Sequence, residues 1–203
     1  MKYYIYLLVL IGSILMVNQH AIAQTTVSQT EQFQNRIVDS IFSKTLSENR
    51  DFWVRLPDNF QPDSDEKYAV IYLMDGFSLE STLEAVYTNY WGHYLPHMIL
   101  VGISNRSNRT RDLTTSLIKM RRGRAMDNKT GGAETFTKFM EKELIPYIDS
   151  KYPTKAYRTL IGHSYAGLFT INMLVNHKHL FQNYIAIDPS LDWDNQKLLK
   201  EAK

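Results

Sequence analysis

The sequence contains no cysteine. Disulfides, a thiol nucleophile and thiolate metal sites are therefore excluded. Surplus charge is also scarce: 23 Lys and Arg against 21 Asp and Glu leave a formal net charge of +2, with the signs interspersed. Nothing in that distribution points to nucleic acid. No internal repeat is visible. Asp75 beside Gly76 is the nearest approach to a metal motif, but no second carboxylate or histidine has a matching spacing, so neither a metal nor a cofactor is expected. What is present, 203 residues of which 44% are hydrophobic, suits one domain with a sizeable core.

One long apolar run occurs, from Tyr3 to Val17, behind the short basic start Met1-Lys2. It is short for a bilayer span, which needs about 20 residues, and Asn18, Gln19 and His20 end it. Ala21-Ile22-Ala23 then supplies a small-x-small cleavage pattern, with Gln24 as the first mature residue. Residues 1–23 read as a signal peptide rather than a stable membrane anchor, and residues 24–203 as the mature domain, placed in the periplasm or secreted. A cysteine-free mature chain suits an oxidising compartment, and it rules out a lipid anchor on a cysteine after the cleavage site.

The most informative stretch is Thr159-Leu160-Ile161-Gly162-His163-Ser164-Tyr165-Ala166-Gly167-Leu168-Phe169. An apolar run stops at Gly162, a serine follows two residues later, and a run of helical period begins. A G-x-S-x-G turn between strand and helix puts a serine hydroxyl above the sheet edge as a nucleophile. Here Ala166 stands at the second glycine position, with Gly167 directly after it. Ser164 would be the attacking oxygen, and the Tyr165 amide, at the helix N-terminus, one oxyanion donor. The competing reading is an ordinary buried strand–turn–helix with a serine at its turn.

Around this stretch strands and helices alternate. Ile37 to Ser43 and Arg50 to Leu56 read as strands joined by a hairpin over Thr45 to Asn49. Tyr68 to Met74 and His97 to Ile103 read as buried strands of a parallel sheet. A helix is expected over Leu79 to Asn89 with Ser78 as its cap. Ser104 to Lys129 reads as a long polar loop. Thr135 to Tyr147 has a helical apolar face that Pro146 should kink or stop. A helix from Ala166 to about Asn176, a strand over Tyr184 to Ile187 and a helix from Gln196 onward complete the pattern. It predicts an α/β fold, a mostly parallel sheet with antiparallel N-terminal strands and helices on both faces.

The chain resembles, from about Ile37 onward, the esterase D-like family of the α/β-hydrolase superfamily. That family includes siderophore esterases, S-formylglutathione hydrolases, feruloyl and acetyl-xylan esterases, and mycolyltransferases. The marks are Trp53-Val54-Arg55-Leu56-Pro57, Tyr72-Leu73-Met74-Asp75-Gly76, Arg111-Asp112-Leu113-Thr114, Gly131-Gly132-Ala133, Glu143-Leu144-Ile145-Pro146-Tyr147-Ile148, the elbow from Gly162 to Gly167, and Pro189-Ser190-Leu191. The resemblance implies the α/β-hydrolase fold and acyl hydrolysis or transfer through an acyl-serine. It also implies a second oxyanion donor just after the Asp75-Gly76 turn, the amide of Phe77 or of Gly76. The implied partner is a small-molecule ester: a siderophore, sugar ester or aryl ester.

Serine needs a base, and in this fold the order is serine, acid, histidine. Only His177 and His179 follow Ser164. Thirteen helical residues at about 1.5 Å each would carry His177 roughly 20 Å from Ser164, so both read as surface histidines. His163 is expected to point into the fold as a structural residue, His97 to sit at the wrong end of its strand, and His93 is not placed. Asp188 ends the strand after the elbow, where some α/β-hydrolases carry the acid and the resembling family more often has a packing residue. The expectation is a domain incomplete at its C-terminus, lacking its last strands and the catalytic histidine. Its alternatives are a non-catalytic binding protein and an acyltransferase. Lys119, Arg121, Arg122 and Arg124 read as a solvated basic face or an anion receiver, and Tyr87, Tyr90, Trp91 and Tyr94 as core packing or an aryl or sugar site.

Overall fold

The computed structural model describes residues 36–58, 60–90, 96–126 and 129–202. The signal-peptide reading, His93, Trp91 and Tyr94 lie outside them.

Six strands form one sheet in the order β1-β2-β4-β3-β7-β8. They are β1 (Arg36–Ser43), β2 (Glu48–Arg55), β3 (Tyr68–Leu73), β4 (Met98–Ile103), β7 (Thr154–His163) and β8 (Asn183–Ile187). β2 runs antiparallel to β4, while β4, β3, β7 and β8 are mutually parallel. The expected mixed sheet is therefore present. Alternation along β3 explains its burial on both faces. Tyr68, Val70 and Tyr72 enter the larger core with Phe136, Phe139, Ile148 and Phe169, and Ile71 and Leu73 enter a second core with Trp53 and Leu100.

The helices are α1 (Gly76–Tyr90), α2 (Arg109–Leu113), α3 (Ala133–Phe139), α4 (Ile145–Lys151), α5 (Tyr165–Asn176) and α6 (Lys197–Glu201), with a 3-10 turn at Trp193–Gln196. α3, α4 and α5 cover the larger core, and Phe77, Leu79 and Leu83 of α1 cover the other face.

Three boundaries differ from expectation. α1 starts at Gly76 rather than Leu79 because the Asp75 carbonyl, not a Ser78 side chain, accepts the Ser78 and Leu79 amides, at 2.8 and 3.2 Å. Pro146 does not end its helix. Met140–Leu144 widens to a π-turn, Ile145 N–H bonds to the Met140 carbonyl, and α4 restarts with the proline in its first turn. The wider turn bypasses the bond that proline cannot donate. The loop from Ser104 to Lys129 contains α2 and a small hairpin, β5 (Met120–Arg121) with β6 (Arg124–Ala125). Its turn residues Arg122 and Gly123 have φ of 48° and 75°, the signs a tight two-residue hairpin requires.

Candidate active site

β3 and β7 are neighbours in register, with Leu73 opposite Ile161 and the Met74 amide donating to the Ile161 carbonyl at 2.9 Å. Both chains therefore leave the sheet side by side at its C-terminal edge, where open α/β sheets place their sites. One continues as Asp75-Gly76-Phe77 into α1, the other as His163-Ser164-Tyr165 into α5.

Ser164 has φ 60° and ψ −115°. A non-glycine residue in that conformation is costly, on the order of 1–3 kcal/mol, and persists only where its surroundings hold it. They do so here through backbone. The Ser164 amide donates to the Ile187 carbonyl, and the Leu168 and Ser190 amides donate to the Ser164 carbonyl, all at 2.9–3.0 Å. Glycine is required nearby. A Cβ on Gly162 would overlap the Ala166 carbonyl, and one on Gly167 would stand 2.9 Å from Pro189 Cα. Ala166 is tolerated at the elbow's second glycine position because the close approach to Pro189 falls on Gly167 instead. Tyr165 opens α5, so its N–H belongs to the first turn, whose donors have no intrahelical partner.

Asp75 also has positive φ, 53°. Its amide donates to Asn105 Oδ1 at 3.2 Å, and its Oδ2 accepts from Arg109 Nε at 2.8 Å. Burial pushes the Asp75 carboxyl up; Arg109, and then His163, pull it partly back. A cavity of about 250 Å³ opens here, lined by Asp75, Phe77, Asn105, Arg106, Arg109 and His163 among others. The expectation for His163 is thus corrected. It is half-buried and lines the cavity at the strand end, because β7 reaches the sheet edge at this residue.

Among the described residues no histidine side chain hydrogen-bonds to Ser164, whose hydroxyl has one such neighbour, Ser190 Oγ at 3.4 Å. His177 and His179 contact Glu134 and Glu141 at 3.1 and 3.4 Å, beyond the far end of α5. His97 precedes β4, at the opposite edge of the sheet from Ser164. Asp188 follows β8 with φ 41°, exposed and without an ion pair or side-chain hydrogen bond among the described residues.

The basic cluster divides. Lys119, Arg122 and Arg124 are exposed. Arg121 packs against the residue after Ser164: its Nη1 donates to Tyr165 Oη at 2.6 Å, and its guanidinium lies over the Tyr165 and Trp193 rings. Asp192 pairs with both Arg121 and Arg122, which, Arg121 foremost, hold its carboxyl below the usual range. Tyr87 and Tyr90 fall in the last turns of α1. Sequence reading missed Arg109, whose only local signal was its place among Arg106 and Arg111 in a polar stretch.

Known proteins are similar to this chain in sequence and fold. The family model described as "Putative esterase" matches residues 43–197. The ferri-bacillibactin esterase BesA of Bacillus subtilis (strain 168) is 32% identical over 174 residues, 77% of this chain and 59% of that protein. A siderophore triacetylfusarinine C esterase of Aspergillus fumigatus is 37% identical over 75 residues, 36% of this chain and 26% of the relative. The crystal structure of an IroE-like serine hydrolase from Shewanella oneidensis superposes with a TM-score of 0.77 at 33% identity, covering 82% of this chain and 54% of the other. The chain thus spans 59% of the length of BesA and 54% of that of the Shewanella protein. With the strand–Ser164–helix turn, the sheet and the family model in agreement, this chain belongs to the esterase family of α/β-hydrolase type that the model describes.

Proposed function

We propose that the chain carries the nucleophile and oxyanion site of an exported serine esterase acting on siderophore esters. The observation that carries the reading is Ser164 on its strained turn at the C-terminal edge of parallel strands, beside the Asp75-Gly76-Phe77 turn. The substrate class is carried over from the printed activities of the relatives, and export from the apolar run and cleavage pattern at residues 3–23.

In the proposed reaction Ser164 Oγ attacks the ester carbonyl carbon and gives its proton to a base. The carbonyl oxygen becomes an oxyanion received by the Tyr165 amide and the amide of Phe77 or Gly76. Collapse breaks the bond to the alcohol, which takes the proton, and leaves acyl-Ser164; water then releases the acid. Among the described residues no imidazole or carboxylate hydrogen-bonds to Ser164 Oγ.

The test is mass spectrometry after incubation with a catecholate trilactone. An acyl adduct on Ser164, absent from Ser164→Ala, is expected. Modification elsewhere, or equal modification of the variant, would refute the nucleophile assignment. Export is checked by the mass of secreted or periplasmic material, expected to begin at Gln24; an intact Met1 on membrane-bound protein would overturn it.

A further inference from the structure

Arg109 reaches both turns of the proposed site from a third element. Its Nε donates to Asp75 Oδ2 at 2.8 Å and its Nη2 to the His163 carbonyl at 3.3 Å. Its guanidinium carbon lies 5.2 Å from the centroid of the Tyr165 ring. Asp75 introduces the Gly76-Phe77 amides, and His163 and Tyr165 flank Ser164. One side chain therefore bridges two backbone segments that are 88 residues apart (Asp75 to His163) and both end in a positive φ, at Asp75 and at Ser164.

The base of this bridge is rigid. The same short helix carries Arg111 and Asp112; Arg111 pairs with Glu48 at 2.6 Å, and Asp112 pairs with Arg50 at 2.8 Å. The Arg111 carbonyl accepts the Gly132 amide at 2.8 Å. The backbone of α2 at Arg109 is thus tied to β2 by a partly buried ionic frame, which fixes the point from which the Arg109 side chain reaches the two turns.

We propose that Arg109 is a positioning residue: it clasps the Asp75 turn to the serine elbow, sets the spacing of the two oxyanion donors, and neutralises Asp75 beside the point where negative charge develops. The proposal rests on the serine-esterase reading. Two effects act together. Misplacing a donor by about 1 Å costs on the order of 10²-fold in rate. An uncompensated carboxylate near a developing oxyanion also opposes the transition state electrostatically. The charged or titratable groups that face Asp75 are Arg109 from α2, His163 from β7 and Arg106 across the cavity, with Asn105 as the neutral partner of its amide.

The experiment follows capture of Ser164 by an alkyl fluorophosphonate in the presence of imidazole. The serine oxygen forms a bond to phosphorus, the P–F bond breaks, fluoride leaves, and imidazole takes the serine proton. Arg109→Gln is expected to slow capture about 10²-fold. The ratio of wild-type to Arg109→Gln rates should grow from acidic to neutral pH, as Asp75 ionises without its countercharge; a purely structural role would not move this ratio. Asp75→Asn combined with Arg109→Gln should recover part of the loss, and Arg109→Lys should fall between wild type and Arg109→Gln. Folding is checked by near-ultraviolet circular dichroism.

Capture of folded Arg109→Gln at the wild-type rate, or a ratio that does not vary with pH, would overturn the proposal. If folded wild type is not captured at all, the esterase reading fails, and amide hydrogen exchange over residues 75–77 still reports on the clasp. Faster exchange in Arg109→Gln supports it, and unchanged exchange refutes it. If Arg109→Gln does not fold, Arg109→Lys and Asp75→Asn carry the same comparisons.

Discussion

The hydroxyls of Ser164 and Ser190 lie 3.4 Å apart, while the Ser190 amide donates to the Ser164 carbonyl at 3.0 Å. The backbone bond is the stronger of the two, since 3.4 Å between hydroxyl oxygens is at the outer limit of hydrogen bonding. The end of β8 and the residues after it therefore support the Ser164 turn through main chain, and the Ser190 side chain contributes little. Ser190→Ala should change unfolding free energy by less than about 0.5 kcal/mol and leave Ser164 reactive towards fluorophosphonate. Ser164→Ala should remove labelling entirely. A Ser190→Ala variant that folds but does not label would give the second hydroxyl a chemical role.

Arg50 and Asp112 form an ion pair at 2.8 Å, with side chains 5% and 1% exposed. Arg50 also donates to the Ser104 carbonyl and lies over the Phe136 ring. Removing Arg50 leaves the buried Asp112 carboxylate with Arg111 alone, at 2.7 Å, a loss of about 1–3 kcal/mol. Arg50→Ala should lower the free energy of urea unfolding by that amount. Arg122→Ala breaks a pair whose arginine side chain is 73% exposed, and should cost less than about 1 kcal/mol. Equal effects of the two would refute the buried network as the anchor of α2.

Glu48 sits at the rim of the same network, and the hydrogen bond from Arg111, then that from Arg50, holds its carboxyl below the usual 4.5. A lowered folded value means the stabilisation is fully present above pH 4.5, the unfolded value, and is lost as pH falls through the folded one. Asp112 has the opposite sign: burial raises its carboxyl, so its contribution is largest at low pH. The expected signature of Glu48→Gln is a stability deficit that is constant near neutrality and shrinks below pH 4.5. Urea midpoints of both proteins across pH 3 to 7 (a range spanning the usual carboxylate values) measure it. A deficit that widens on acidification would reverse the assigned sign.

What the sequence made legible was local. Ser164 and its turn could be read because a β-type run, small residues and a helical run adjoin within about a dozen positions. The parallel sheet could be read because β3 and β4 are buried on both faces and show continuous apolar runs. Arg109 was not legible, because its meaning depends on Asp75 and His163, 34 and 54 residues away. His163 was misassigned for a related reason: whether a strand-end residue faces the core or the edge depends on where the strand stops relative to its neighbour. The helix through Pro146 broke a sound local rule, because the packed Met140, Leu144, Ile145 and Ile148 keep it docked on the sheet while the π-turn absorbs the missing donor.

The described chain gives Ser164 no imidazole to take its proton, and this sets the last expectation. General-base assistance is worth about 10²–10⁴-fold, and a serine without it keeps only what the oxyanion site and binding supply. Acylation of Ser164 by p-nitrophenyl acetate alone is therefore expected to be slow. Added imidazole should raise the rate of acetyl-Ser164 formation, read by mass, by at least about tenfold. The increase should follow the neutral fraction of imidazole and so rise through roughly pH 6.5. Ser164→Ala removes the adduct while leaving the direct reaction of imidazole with ester, which separates the two pathways. Turnover above about 1 s⁻¹ without imidazole, lost in Ser164→Ala, would show that a working base reaches Ser164. His163 would then be the first residue to replace, since it already lines the cavity beside Asp75 and Phe77.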